Sequence, residues 1–232
     1  MYEYSKLLKG KFIKRYKRFF TDVLFDGGIL TVHNPNTGSM KCVLSDGADV
    51  LISESDNPSR KLKHTLEAVL VEDRWVLTNT ILMNRIVRHG LLDNEVKELR
   101  DITYLKSEYK YGDGRIDFYG ETADGRFLAE VKNVTMFDDE CSIFPDAVTE
   151  RGRKHLGLLL EAAKEGYRPY MIYVCQVDRP FFRPAYEIDM KYAEALEDAV
   201  SRGLNVITVM TVFDEKEGRV TLKEGGELRF RL

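Results

Sequence analysis

The stretch R-I-D-F-Y (115–119), G-E-T-A-D-G-R (120–126) and F-L-A-E-V-K (127–132) reads as two short strands joined by a turn. Successive strand residues point to opposite faces. Ile116 and Phe118 are therefore expected on one face, with Arg115, Asp117 and Tyr119 on the other. In the second strand Phe127, Ala129 and Val131 oppose Leu128, Glu130 and Lys132. Gly120 and Asp124-Gly125 supply the turn chemistry that reverses the chain and brings Asp117 towards Glu130. Two carboxylates at one point can hold Mg²⁺, or Mn²⁺ in its place, and an ammonium at Lys132 can meet charge building on a phosphate. The same residues would also serve as a solvated hairpin face with an ordinary salt bridge.

Working outward, the rest of the chain divides by pattern. Before residue 78 the sequence is rich in short strands: 11–19, 20–25, 29–33, 49–53, 65–71 and 75–78. Turn signals separate them, at Asp26-Gly27-Gly28, Pro35–Gly38, Ser45–Gly47 and Asp56–Pro58. That pattern suits a small OB-like barrel over residues 1–78. From 79 to 232 helices and strands alternate. A helix is expected over 80–100, broken near His89-Gly90, and a second from Pro145-Asp146 to Lys164. A buried strand follows at 170–177, a helix at 189–202 and another strand at 205–213. A last hairpin runs from Arg219 to the end around Gly225-Gly226. This order makes the fold class mixed α/β, with a mixed central sheet in the second domain.

The chain has 232 residues, 44% of them hydrophobic, enough for one large or two small domains with real cores. Its net charge of −3 is unevenly spread, since residues 1–20 carry seven basic side chains and one acidic one. A basic segment on an acidic body points to a local anionic partner. Lys11, Lys14, Arg15, Lys17 and Arg18 are the residues expected to touch phosphate, while Phe12, Tyr16, Phe19 and Phe20 between them read as the barrel-facing side of a strand. Arg151 and His155, spaced i, i+4 at the start of a helix, add phosphate-positioning groups. The loop His33–Gly38 reads as a turn held by asparagine side chains.

Three widely spaced cysteines (Cys42, Cys141 and Cys175) argue against a disulfide framework or a zinc site and fit a reducing cytoplasm. No stretch resembles a signal peptide, and the apolar runs are too short to span a bilayer, so no membrane partner is expected. Serine-hydrolase, zinc-protease and P-loop motifs are absent.

The segments H-N-P-N-T-G-S-M (33–40), L-K-S-E-Y-K-Y-G (105–112), R-I-D-F (115–118), E-V-K-N-V-T (130–135) and F-P-D-A-V-T-E-R-G-R-K-H-L (144–156) together resemble the sugar fermentation stimulation protein A family. The resemblance implies an N-terminal OB-like domain and a C-terminal restriction-endonuclease-like domain of the PD-(D/E)xK type. It further implies DNA binding that is largely independent of sequence, and a regulatory role in sugar metabolism. On the family's motif Asp117, Glu130 and Lys132 match the D…E-x-K core, with Asp117 and Glu130 as the metal ligands. Glu108 or Glu98 is the additional acid. A Mg²⁺-dependent phosphodiesterase is thus the leading expectation. A non-catalytic DNA-binding regulator is the alternative, and a sugar bound at the Asn34–Thr37 loop a third. A homodimer would let two centres address two strands.

Overall fold

The computed structural model of the chain describes residues 1–230. The chain opens on β1 (Tyr2–Glu3), then runs through β2 (Leu8–Tyr16), β3 (Phe20–Phe25), β4 (Gly28–His33), β5 (Asp49–Glu54), β6 (His64–Val71) and β7 (Arg74–Leu77). β2 pairs with both β3 and β5, and β5 pairs with β6. A parallel bridge between His33 of β4 and Thr65 of β6 closes five of these strands into an OB-like barrel. Phe12, Val23, Val32, Val50, Ile52, Leu66 and Val69 fill its interior.

The strand expected over 11–19 starts earlier and ends at Tyr16. Lys17 and Arg18 form the following turn with left-handed φ values of 48° and 63°. Only Phe12 of the interleaved aromatics is fully inside, whereas Tyr16 and Phe19 are 37% and 47% exposed.

The second half consists of α1 (Thr80–Leu92), β8 (Tyr104–Tyr111), β9 (Gly114–Thr122), β10 (Gly125–Val134), β11 (Met136–Phe137), β12 (Cys141–Phe144), α2 (Glu150–Lys164), β13 (Arg168–Cys175), β14 (Phe181–Pro184), α3 (Tyr186–Ser201), β15 (Asn205–Asp214), β16 (Arg219–Glu224) and β17 (Glu227–Leu228). A seven-stranded mixed sheet runs in the order β1-β16-β15-β13-β10-β9-β8. Helix α1 packs its Leu82, Met83, Ile86, Val87 and Leu91 on one face, against Phe118, Ala129, Val131 and Ile172. Helices α2 and α3 cover the other face, where Leu156, Leu159, Tyr192 and Leu196 meet Leu128, Met171 and Tyr173. No helix among the described residues is long and apolar enough to cross a membrane.

Several expectations change on this frame. Tyr2 and Glu3, grouped with the barrel by sequence, pair with Val220 and Arg219 in the second sheet. Helix α1 does not break at Gly90; it stops at Leu92, with Asn94 left-handed just beyond. Gly90 is instead where the helix presses on Leu222, and a Cβ there would collide with that side chain. Helix α2 begins at Glu150 rather than at Pro145-Asp146. Thr149 caps it by accepting from the Gly152 N–H, while the Asp146 carboxylate accepts from the Met40 N–H of the barrel. The final hairpin does not form. β16 pairs with β15, whereas β17 joins β14 in a separate four-stranded sheet. Gly225 and Gly226 permit that crossing by lying against the backbones of Thr208 and Phe181. Residues 231 and 232 of that expected hairpin lie outside the described residues.

Barrel and sheet are fastened by buried polar groups. The Gln176 side chain accepts from the Leu77 N–H at 3.2 Å and the Thr211 hydroxyl at 2.8 Å, and donates to Asn133 Oδ1 at 2.8 Å. Glu67 of β6, only 4% exposed, receives Ser53 Oγ at 2.5 Å and Asn79 Nδ2 at 2.9 Å. Asn79 also caps α1 by accepting from the N–H groups of Ile81 and Leu82. Replacing Gln176 by Leu strands two buried donors, the Leu77 N–H and the Thr211 hydroxyl, and removes the bond to Asn133. Urea unfolding is expected to show a loss of about 2–4 kcal/mol.

Candidate functional site

The antiparallel ladder between β9 and β10 runs from Thr122↔Gly125 to Phe118↔Ala129 and stops there. One step further Asp117 faces Glu130, and side chains take over from backbone. The Asp117 N–H donates to Glu130 Oε2 at 3.3 Å, and the Val131 N–H donates to Asp117 Oδ2 at 2.8 Å. The strands splay at this point without orphaning buried backbone donors.

The neighbouring ladder is interrupted at the same level. Ser107↔Phe118 and Tyr109↔Ile116 flank the level of Glu108 and Asp117, and Glu108 has a left-handed φ of 55°. Side-chain alternation resets across it. Phe118 packs with α1, but Ile116 packs with α2, so the two do not share a face as period-two alternation predicts. The consequence is that Asp117 sits at the changeover, between Phe118 on the α1 side and Ile116 on the α2 side.

Each carboxylate is held. Asp117 Oδ1 accepts from Asn84 Nδ2 of α1 at 2.7 Å. Glu130, 2% exposed, accepts from Lys132 Nζ at 2.6 Å, and the same oxygen is in close contact with His155 Nδ1 of α2. His155 Nδ1 also lies 3.4 Å from Lys132 Nζ, and Arg151 Nε points at His155 Nε2 from 3.4 Å. His155 is thus buried behind Glu130, not laid out along the surface for phosphate. Gly152, on its side of α2, is tight against Thr149 and Tyr192.

Burial, followed by repulsion from Glu130, raises the Asp117 carboxyl from 3.8 to about 6; the Val131 N–H, Lys132 and Asn84 offset this only in part. Burial also pushes Glu130 upward, but Lys132 and His155 together outweigh it, and the net displacement is downward. One carboxylate is stabilised as an anion while its neighbour resists ionising beside it.

These groups open into a cleft of about 1030 Å³ between barrel and sheet. Asp117, Glu130 and Lys132 line it together with Glu108, Arg18, Arg85, Arg88 and Arg151. Glu108 faces Asp117 and pairs with Arg115 at 3.2 Å. Glu98 lies elsewhere, in a small separate depression with Glu95, Lys97 and Glu224, whereas Glu108 lines the cleft.

The basic N-terminal residues are divided. Lys11 is paired with Asp49 at 2.7 Å, and Lys14 lies 3.6 Å from Asp22. Arg15 is engaged inside the protein, donating to the carbonyls of Asn36 at 2.7 Å and Gly38 at 2.8 Å. Lys17 is exposed in the turn, and Arg18 alone of the five lines the cleft. Arg85 and Arg88 were not anticipated; they stand one turn apart on α1, a spacing visible in the sequence as Arg85 and Arg88 after Asn84.

Two family models match the chain, the "Sugar fermentation stimulation protein RE domain" over residues 81–217 and the "SfsA N-terminal OB domain" over residues 13–78. A sugar fermentation stimulation protein homolog from Pelagibacter ubique is 43% identical over 225 residues, covering 95% of this chain and 97% of its own. One from Syntrophotalea carbinolica is 45% identical over 210 residues, covering 89% and 90%. The solved structure of Pyrococcus furiosus SfsA in complex with Ca²⁺ superposes with a TM-score of 0.91 at 21% identity, covering 98% of each chain. That likeness extends the fold across a wide sequence distance.

A carboxyl that binds its proton more tightly in the folded chain than in the unfolded one makes stability fall as pH rises between the two values, here 3.8 and about 6. Asp117→Asn removes that penalty. In metal-free buffer the variant is expected to be more stable than the parent by about 1–3 kcal/mol near pH 8, and the gap to close near pH 4, as read by thermal melting across pH.

Proposed function

The chain belongs to the sugar fermentation stimulation protein family, and from that premise and the geometry of the cleft we propose that it is a divalent-metal-dependent phosphodiesterase acting on nucleic acid, with DNA as its substrate. The observation that carries this reading is the splayed junction, where Asp117 and Glu130 face each other with Lys132 Nζ 2.6 Å from Glu130.

The donor set fits Mg²⁺ or Mn²⁺. Mg²⁺ is commonly held by one or two carboxylates, keeps several waters and takes phosphate oxygens as further ligands. Asp117 and Glu130 would hold it. Among the described residues no group of three or more His, Cys, Asp or Glu side chains is set to hold a metal by itself, so water and phosphate oxygens would have to complete the two-carboxylate set. The raised Asp117 carboxyl reports unneutralised negative charge at a buried point, which a cation would relieve. The Ca²⁺ complex of the Pyrococcus furiosus protein supports a hard divalent cation in this family's fold.

A bound metal supplies a more acidic water and shields phosphate charge. The chain's own residues do the rest. Lys132 presents an ammonium where charge develops on the phosphoryl oxygens. His155 fixes the Glu130 carboxylate from behind. Arg18, Arg85, Arg88 and Arg151 rim the same cleft and can hold flanking phosphates without reading bases.

Purified protein is expected to cut DNA in Mg²⁺ or Mn²⁺ and not in chelator. Asp117→Ala and Lys132→Ala should each lower the rate by about a hundredfold or more. His155→Ala, which touches neither metal nor phosphate, should weaken metal affinity by about ten- to a hundredfold, measured by titration calorimetry. DNA left intact in both metals by the parent protein would sink the phosphodiesterase reading.

A further inference from the structure

Resting on the reading just given, we infer that the substrate is an unpaired strand, threaded through a cleft whose far wall belongs to the barrel, with Phe19 as the platform for an unstacked base.

The wall is the loop from Pro35 to Met40. It is anchored at both ends of the cleft. Thr80 Oγ1, at the start of α1, donates to the Pro35 carbonyl at 3.2 Å, and the Met40 N–H donates to Asp146, ahead of α2, at 3.1 Å. Helices α1 and α2 lie on opposite faces of the sheet, so this loop bridges them across the carboxylates. It is also stiff. Asn34 Oδ1 accepts from the Asn36 N–H at 3.1 Å, Asn36 Oδ1 accepts from the Gly38 N–H at 2.8 Å, and Arg15 binds three of its carbonyls. Gly38 lies so close to Asp146 that a Cβ would collide with the carboxylate. The cleft is therefore bounded by α1, α2 and a fixed loop, and its remaining side is the β8 edge at Ser107 and Glu108.

Size agrees with this boundary. The volume of about 1030 Å³ is at the top of the range that encloses one small-molecule ligand, about 300–1,000 Å³. A few nucleotides of one strand fit such a space. A cleft of this size walled by a fixed loop suits one strand better than the two of a duplex.

Phe19 is the independent observation. It is 47% exposed and follows Arg18, a cleft residue, in the turn that ends β2. Nothing in the barrel core requires it there, since Phe12 fills that role from the same segment. Exposed aromatics next to phosphate-binding cations grip unpaired bases without sequence preference, and Phe19 directly follows a cleft-lining arginine in the chain.

The test compares a short labelled single strand, the matching blunt duplex and the same duplex carrying an unpaired tail. Binding is read by fluorescence anisotropy in Ca²⁺, and cutting is read in Mg²⁺ and Mn²⁺. The single strand and the tailed duplex are expected to bind at least about tenfold more tightly than the blunt duplex, and Phe19→Ala to weaken the single strand by about fivefold or more while leaving its melting temperature at the parent's. Gly38→Ala, which forces the loop off Asp146, should narrow the difference between single strand and duplex. A blunt duplex bound as tightly as the single strand, or a Phe19→Ala protein with unchanged single-strand affinity, would overturn the inference. Metal-dependent cutting of that duplex would at the same time leave the phosphodiesterase reading standing. Absence of both binding and cutting on every substrate would remove the two together.

Discussion

The site depends on one exchange of hydrogen bonds. Where the β9–β10 ladder stops, the Asp117 N–H turns to Glu130 and the Val131 N–H turns to Asp117. Each strand's carboxylate satisfies a backbone donor of the other, so the sheet can open at this level without leaving buried N–H groups unpaired. Had the ladder continued, the two N–H groups would have been taken by backbone carbonyls, and neither carboxylate would have been held by the facing strand. The left-handed Glu108 opposite Asp117 is the matching irregularity on the other side. Three adjacent strands thus give up regular pairing at one height, and the rest of the molecule is arranged around that height.

The electrostatics follow from the same exchange. Carboxylates that bind backbone donors are drawn towards one another in a place with little water. Lys132 and His155 steady Glu130, and Asn84 steadies Asp117, yet Asp117 still carries an unfavourable charge. The arginines that could have quenched it stand further out, on the rim, from three separate elements: the β2–β3 turn, α1 and α2. An acidic floor under a basic rim is the charge pattern that the proposed phosphodiester chemistry calls for.

Much of this was legible from the amino acids. Glu130 and Lys132 share a face by simple alternation, the Asp124-Gly125 turn fixed their distance from Asp117, and the strand-and-turn rhythm before residue 78 marked the OB-like barrel. What was hidden has physical causes. β8 is an edge strand with exposed Tyr104, Lys106 and Lys110, so it lacks the apolar alternation that announces a buried strand. The reset at Asp117 depends on a backbone angle at Glu108, a residue whose identity does not suggest it. His155 read as a surface partner of Arg151 because helical spacing places both on one face, but spacing does not say which of the two is covered. Arg15 looked like its basic neighbours until the loop that it binds folded back over it. Asp146 had the place of a helix cap, and a donor 106 residues away claimed its carboxylate.

The pairing of Tyr2 and Glu3 with β16 has a bearing on how the chain is made. These residues are made well before their partners, Val220 and Arg219. At about 5–20 residues per second, Tyr2 and Glu3 wait roughly ten to forty seconds for their place in the sheet. The barrel strands between them can close much earlier, since all of their pairings lie within the first 77 residues. The pairing is therefore a late stitch, which ties a newly made segment to a much earlier one at the sheet edge opposite the cleft.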